Sequence, residues 1–291
     1  MSPPSVPAGT VVVGTDGSPR GQHAVLWAAA EAARRTATLH VLSTVAPMDT
    51  LAAYDLYPPN MPRALDRSVA ERAVEEVRKH HPDLAVTSEV RAGRAAHELV
   101  KASLGAALVV VGARGHGPLA GKVLGSVSQQ VVGHAHCPVV VVRRSAPLDD
   151  GPVVVGVDGS PAASTALEFA LADAARRGTY LRVLHAQYVE TGIGSVAPAG
   201  WSSDLTDVLT EEAAAVRTIV EQAATRHPGV DVDLRAVHEH PVEALRRESE
   251  DAGLLVVGTR GLGGFSGLLL GSVSHGVLSR ARCAVAVVRG T

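Results

Sequence analysis

The sequence predicts an α/β fold built twice in tandem, each copy a mainly parallel sheet with helices on both faces. Two observations carry this. Short aliphatic runs alternate with helical stretches of about 10 to 20 residues, the signature of βαβ units. The alternation also repeats: Val11-Val12-Val13-Gly14-Thr15-Asp16-Gly17-Ser18-Pro19 returns as Val153-Val154-Val155-Gly156-Val157-Asp158-Gly159-Ser160-Pro161. So long a period with only two copies means duplicated domains rather than a solenoid.

In the first copy a strand near Thr10–Gly14 is followed by a helix from Pro19 to about Arg35. Ser18 is placed to cap that helix, and Pro19 fits its first turn. A second strand runs over Leu39–Val45, and residues 46–62 form a loop rich in proline. A helix from about Arg63 ends at His80, just before Pro82. Then come strand Leu84–Val90, a short helix Arg94–Lys101, strand Ala107–Val111, a glycine-rich loop, helix Ser126–His134 and strand Val139–Val142. The second copy repeats the order, with strands near Val153–Val157, Leu181–Ala186, Val230–Ala236, Leu254–Val257 and Val285–Val288. Asp16 and Asp158 are 142 residues apart, whereas Gly112 and Gly258 are 146 apart. Four residues are therefore gained between, and the loop before Asp204 is the expected place. The predicted division is a tail at 1–8, a domain at 9–144, a linker at 145–151 and a domain at 152–291.

Bulk properties narrow the function. With 46% hydrophobic and 19% charged residues, each half can bury a full core. A net charge of −2 and 3% aromatic residues offer neither a basic surface nor stacking platforms, so nucleic acid is not the expected partner. No apolar run reaches about 18 residues, so no membrane span is expected. Met1–Ser5 lacks a basic head and an apolar run, so no signal peptide is expected either. Two cysteines, Cys137 and Cys283, make no disulfide framework, which suits a reducing cytoplasm. Aligned one repeat apart, they are expected as small buried residues before the last strand.

The chemistry concentrates in the loop after the fourth strand of each copy. Gly112-Ala113-Arg114-Gly115 is followed by nine residues and Gly125-Ser126; Gly258-Thr259-Arg260-Gly261 is followed by nine residues and Gly271-Ser272. A strand, a glycine-rich loop and a serine opening a helix present backbone N–H groups to a phosphate. Gly112 and Gly258 allow close approach at a strand end, and Gly115 and Gly261 suit a left-handed turn. Ser126 and Ser272 can cap the next helix or donate to a phosphate oxygen. Known phosphate loops do not match. Gly121-Lys122 runs into Val123, which breaks a Walker A motif. Gly115-His116-Gly117 leads to Ala120 and Gly261-Leu262-Gly263 to Ser266, which breaks the dinucleotide fingerprint; that fingerprint also belongs after the first strand. Asp16 and Asp158 close the first strands at the carboxyl edge, where open α/β sheets bind ligands. Because Ser18 and Ser160 already serve as caps, both acids are read as functional.

These glycine motifs after strand four, with an Asp closing strand one, resemble the universal stress protein family over nearly the whole chain. The resemblance implies an open five-stranded parallel sheet of order 3-2-1-4-5 in each half, Rossmann-like and similar to the adenine nucleotide alpha hydrolases. It implies ATP as ligand, with or without Mg2+, because both loops keep every motif position. The contacts it implies are Asp16, Gly112, Arg114, Gly115, His116, Gly125, Ser126, Val127 and Ser128 in the first half. In the second they are Asp158, Gly258, Arg260, Gly261, Gly271, Ser272, Val273 and Ser274. By resemblance the two acids contact the adenine edge, and the second-strand adenine contact falls on Thr44 and Ala186. It also implies pairing through the valine-rich last strands, here between the two halves, with a further dimer of chains.

The halves are not identical. His116 and Lys122 stand where the second half has Leu262 and Leu268, so the first site is expected to hold phosphates more tightly and with more pH dependence. His134-Ala135-His136-Cys137 has no histidine counterpart in Arg280-Ala281-Arg282-Cys283, which argues against a structural metal. Three functions are compatible with these motifs. They are a nucleotide-binding stress or signalling module with little turnover, a slow ATPase or nucleotidyl-type enzyme, and a flavin- or nucleotide-binding electron carrier. The first fits best, since no carboxylate base or magnesium set accompanies the loops. The third is weakened by the scarcity of aromatics.

Overall fold

The computed structural model describes residues 6–45, 61–114, 124–143, 151–188, 201–262 and 269–290. The chain separates into two compact units, Met1–Leu148 and Asp149–Thr291. In the first, β1 (Thr10–Gly14), α1 (Pro19–Arg34), β2 (Leu39–Val45), α2 (Met61–His80), β3 (Val86–Ala92), α3 (Ala95–Ala102), β4 (Ala106–Gly112), α4 (Ser126–His134) and β5 (Val139–Val142) follow in order. In the second the order is β6 (Val153–Gly156), α5 (Pro161–Arg177), β7 (Leu181–Ala186), α6 (Trp201–Ala224), β8 (Val232–Val237), α7 (Pro241–Glu248), β9 (Leu254–Gly258), α8 (Ser272–Arg280) and β10 (Ala284–Val288).

Each unit is an open α/β sheet. The first orders its strands β3-β2-β1-β4-β5 and the second β8-β7-β6-β9-β10, which is 3-2-1-4-5 in both. Within each unit neighbouring strands are parallel. Central strands read as unbroken Val and Leu because helices cover both faces. Val11, Val12 and Val13 are fully buried, as are Val153, Val154 and Val155. Strand order reverses between β1 and β4, and between β6 and β9. That reversal opens a crevice at the carboxyl ends, where the Asp and the glycine loop both emerge.

The first helix of each unit begins as its sequence dictates. Ser18 Oγ accepts from Gly21 N at 3.0 Å and Ser160 Oγ from Ala163 N at 3.2 Å, with Pro19 and Pro161 in the first turn. Both helices bury an acid near their carboxyl ends. Glu31 is clamped by Arg34 and Arg35 at 3.2 and 2.6 Å, and Asp173 by Arg176 and Arg177 at 3.1 and 2.6 Å. Removing one partner from such a pair would strand a buried charge.

Three elements start two residues away from expectation. α2 starts at Met61 rather than Arg63, since proline at position 62 is tolerated in a first turn. β3 and β8 begin two residues late. Leu84 and Val230 are spent in turns, their N–H groups donating to His81 O and His227 O at 3.2 and 3.0 Å. The four extra residues do not lengthen the loop before Asp204. They lengthen the helix, 24 residues in α6 against 20 in α2, and Asp204 lies within it. Of the cysteines, Cys283 is buried but Cys137 is only partly so. Burial still pushes the Cys137 thiol up to about 12, which makes it an inert thiol.

Candidate functional site: a pocket at the carboxyl edge of the second sheet

A cavity of about 480 Å³ opens at the carboxyl edge of the second unit. Its wall includes Asp158, Ala186, Gly258, Arg260, Gly261, Gly271, Ser272, Val273 and Ser274. Every second-half residue expected from sequence is therefore brought together, from four stretches that span more than a hundred residues. The volume lies within the ~300–1,000 Å³ range of small-molecule sites.

The acid comes first. Asp158 follows β6, and Gly159 after it takes a left-handed φ of +81°, so the chain reverses at once toward α5. One carboxylate oxygen of Asp158 accepts from Ser160 N at 3.0 Å. The other accepts from Leu262 N at 3.1 Å, a bond between the first strand and the glycine loop 104 residues later. The expectation that this acid is spared structural duty is therefore corrected. It stabilises its own turn and anchors the loop. Asp16 repeats the first of these bonds, accepting from Ser18 N at 3.0 Å beside Gly17, whose φ is +76°.

The glycines act through space rather than through left-handed backbone. Gly261 does not adopt positive φ, against the expected turn. A Cβ there would stand 2.2 Å from Asp158 Oδ2, so only hydrogen permits the loop to lie against the carboxylate. Gly258 and Gly112 end their strands beneath the first helices, where a Cβ would meet Ala162 O at 3.0 Å and Arg20 O at 3.2 Å. Gly115 and His116 lie outside the described residues, as do Lys122 and Leu268, so the expected asymmetry of the phosphate loops falls there too.

The helix that closes the loop starts without a side-chain cap. Gly271 and Gly125 are the N-cap residues, at φ −73°, ψ 162° and φ −74°, ψ 155°, with no side-chain hydrogen bond. Ser272 and Ser126 are helical and do not cap, which leaves only the second of the two roles expected of their hydroxyls. An uncapped first turn leaves N–H groups without intrahelical acceptors and adds the positive end of the helix dipole, which favours an anion. Ser274 and Ser128 instead turn their hydroxyls inward. They donate to Thr259 O and Ala113 O at 3.0 and 3.2 Å, and to Gly271 O and Gly125 O at 3.3 and 2.9 Å. Gly271 N and Gly125 N donate to the same Thr259 and Ala113 carbonyls at 2.8 Å. The two ends of each loop are thus tied together by the same bonds in both units.

Opposite the loop the pocket is apolar. Leu184 and Ala186 present one face of β7, with Pro241 and Leu245 of α7 across from them. Sequence reasoning did not select Leu184, Pro241 or Leu245, because aliphatic residues at strand and helix spacing read as core. The available signal was period: Leu184 is two residues before Ala186 and shares its face.

In the first unit the corresponding face is charged nearby. Leu42 and Thr44 of β2 register with Glu89 and Arg91 of β3. Arg91 donates to Glu89 at 2.8 Å, Glu89 reaches His40 Nε2 at 3.4 Å, and Glu98 of α3 lies 3.8 Å from Arg91. Burial holds the His40 imidazole below its usual range, with Glu89 pulling the other way. The hydrogen bond from Arg91 holds the Glu89 carboxyl below the usual carboxylate range. In the second unit the neighbours of Leu184 and Ala186 are Arg235 and Val237. Among the described residues no group of His, Cys, Asp and Glu is arranged to hold a metal, and no helix is long and apolar enough to cross a membrane.

A family model described as the universal stress protein family matches residues 8–143 and 151–289. A protein of Mycobacterium tuberculosis bearing the name universal stress protein is 35% identical over 291 residues, covering 96% of each chain. A universal stress protein of Mycolicibacterium smegmatis is 35% identical over 294 residues, again 96% of each. The crystal structure of a universal stress protein from Archaeoglobus fulgidus gives a TM-score of 0.70 at 22% identity, covering 97% of this chain and 98% of that one. That last likeness is one of fold.

Proposed function

The chain belongs to the universal stress protein family, and from that premise we propose that each half binds one adenine nucleotide and acts as a nucleotide-dependent module in a stress response. The observation that carries this reading is the second-unit pocket. It joins an acid, an uncapped helix start and an apolar wall in one cavity of about 480 Å³. The residues fit ATP by chemistry. Gly258, Gly261, Gly271 and the first turn of α8 would hold the phosphates, with Arg260 adding charge. Leu184, Ala186, Pro241 and Leu245 would take the base. Asp158 would meet the base edge, exchanging its bond to Leu262 N for that contact. The same roles in the first half fall to Asp16, Thr44, Gly112, Arg114, Gly115, His116, Gly125, Ser126, Val127 and Ser128.

Bound ATP would supply charge and bulk to the loop, so its arrival or loss changes the loop's contacts. Magnesium is proposed to arrive on the phosphates rather than on a carboxylate set of the protein. With Asp158 engaged by the base edge, no other carboxylate among the described lining residues stands ready as a general base, so turnover is slow or nil. A cytoplasmic location and assembly through the valine-rich last strands, including a dimer of chains, belong to the same proposal. The test is the purified chain itself. Nucleotide released on denaturation is identified and counted, and phosphate release from added ATP is followed for hours. Retained adenine nucleotide with negligible phosphate release supports a binding module; steady release would replace it with the slow ATPase. No retained nucleotide and no uptake of added ATP would remove both.

A further inference from the structure

A pair of aromatic rings stands close in sequence to two lining residues of the second pocket, Tyr188 two residues past Ala186 and His240 just before Pro241. The centroids of Tyr188 and His240 are 5.1 Å apart, with planes at 68°. Both residues are placed by elements that wall the pocket. Gln187 N continues the β7 ladder by donating to Val237 O at 2.9 Å, so Tyr188 returns to the face that Ala186 presents. His240 is the N-cap of α7, immediately before Pro241, and its Nδ1 accepts from Val242 N at 3.3 Å. That bond fixes the imidazole plane, and the phenol ring rests on it edge to face.

Tyr188 nevertheless leaves 53% of its surface exposed. In a chain with 3% aromatic residues, a ring held in place yet kept out of the core is free to meet a ligand. Beyond it lie Leu184, Ala186, Pro241 and Leu245. An aliphatic slot with a propped aromatic ring two residues past its lining Ala186 suits a flat heteroaromatic base. The first half is built otherwise. One repeat earlier, Ala46 (outside the described residues) stands for Tyr188, and Arg94 caps α3 without a side-chain hydrogen bond where His240 caps α7.

Resting on the adenine-nucleotide reading above, we propose that Tyr188 is the specificity-determining residue of the second pocket. It stacks on the purine, with His240 as its positioning residue. The second site therefore draws its affinity from the base and accepts purine nucleosides and monophosphates. The first, with Ala46 at the matching position, depends on the phosphates.

The test uses the full chain carrying Gly115→Glu to block the first site, titrated with ATP, AMP and adenosine, and with inorganic tripolyphosphate as a competitor of ATP. Tyr188→Ala weakens ATP, AMP and adenosine about tenfold each, leaves tripolyphosphate within about twofold, and Tyr188→Phe restores the nucleotides. His240→Ala gives a smaller loss with the same split between base and phosphate. Unchanged nucleotide affinity in Tyr188→Ala, or an equal loss for tripolyphosphate, overturns the stacking role while leaving the nucleotide reading intact. A parent chain that binds none of the adenine compounds overturns both.

Discussion

At the scale of the residue, Asp158 and Gly261 act as one unit. The carboxylate accepts from Leu262 N only because residue 261 has no side chain, the space for a Cβ being 2.2 Å from the oxygen. Gly261→Ala is therefore expected to push the loop off the acid. It should cost about 1 kcal/mol in the second unit, in line with one charge-assisted bond at a partly exposed site, and weaken nucleotide binding there at least tenfold. Denaturant unfolding and calorimetric titration read the two effects; unchanged values in both would remove the coupling. The Asp-Gly-Ser and Gly-x-x-Gly patterns were legible because each occurs twice at matched places. The bond between them was not, since no local pattern links positions 104 residues apart. The left-handed turn expected at Gly261 is found instead at Gly159, and in the first half Gly17 takes the same conformation beside Asp16, a role that Asp-Gly signals.

The two copies also diverge at the turn after their first helix. Gly178 ends α5 at φ +64°, which suits glycine. Its counterpart Thr36, just past α1, is held at φ +51°. A β-branched residue pays roughly 1–2 kcal/mol in that region. Thr36→Gly should stabilise the first unit by about 1 kcal/mol, and Gly178→Thr should destabilise the second by a similar amount, both read by denaturant unfolding. No change in either would show that the left-handed turns are not strained.

Among elements, the network across β2, β3 and α3 makes a pH prediction. The folded chain resists protonation of His40, chiefly through burial, whereas the unfolded chain takes up that proton near 6.5. The unfolded state then binds more protons, so stability falls as pH drops below 6.5. Glu89, held low by Arg91, adds a further loss below about 4.5. His40→Gln should flatten the first of these slopes in thermal midpoints measured at pH 7.5, 6.5 and 5.5. Curves parallel to the parent would contradict it. Elements were legible where apolar period was strong, as in β1, β2, α4 and β5. They blurred at the edges. β3 and β8 interleave polar residues with apolar ones, and their starts were set by turns at His81 and His227 that hydropathy does not encode. The apolar wall of Pro241 and Leu245 was hidden for the opposite reason, because helix-spaced aliphatics look the same whether they face a core or a pocket.

For the whole molecule, duplication explains both the repeated geometry and its limits. Two units share sheet order, the N-caps of their first and last helices and the bonds that tie the loop ends, all of which follow from residues kept at matched positions. They differ where a base would lie, with Glu89 and Arg91 in one and Arg235 and Val237 in the other. The central claim is that each glycine loop and its acid form one nucleotide site. Equilibrium dialysis of ATP against the full chain, and against Gly115→Glu, Gly261→Glu and the double variant, tests it most directly. The account predicts two ATP per parent chain, one per single variant and none for the double variant. Undiminished ATP in the double variant, or none in the parent, would contradict it.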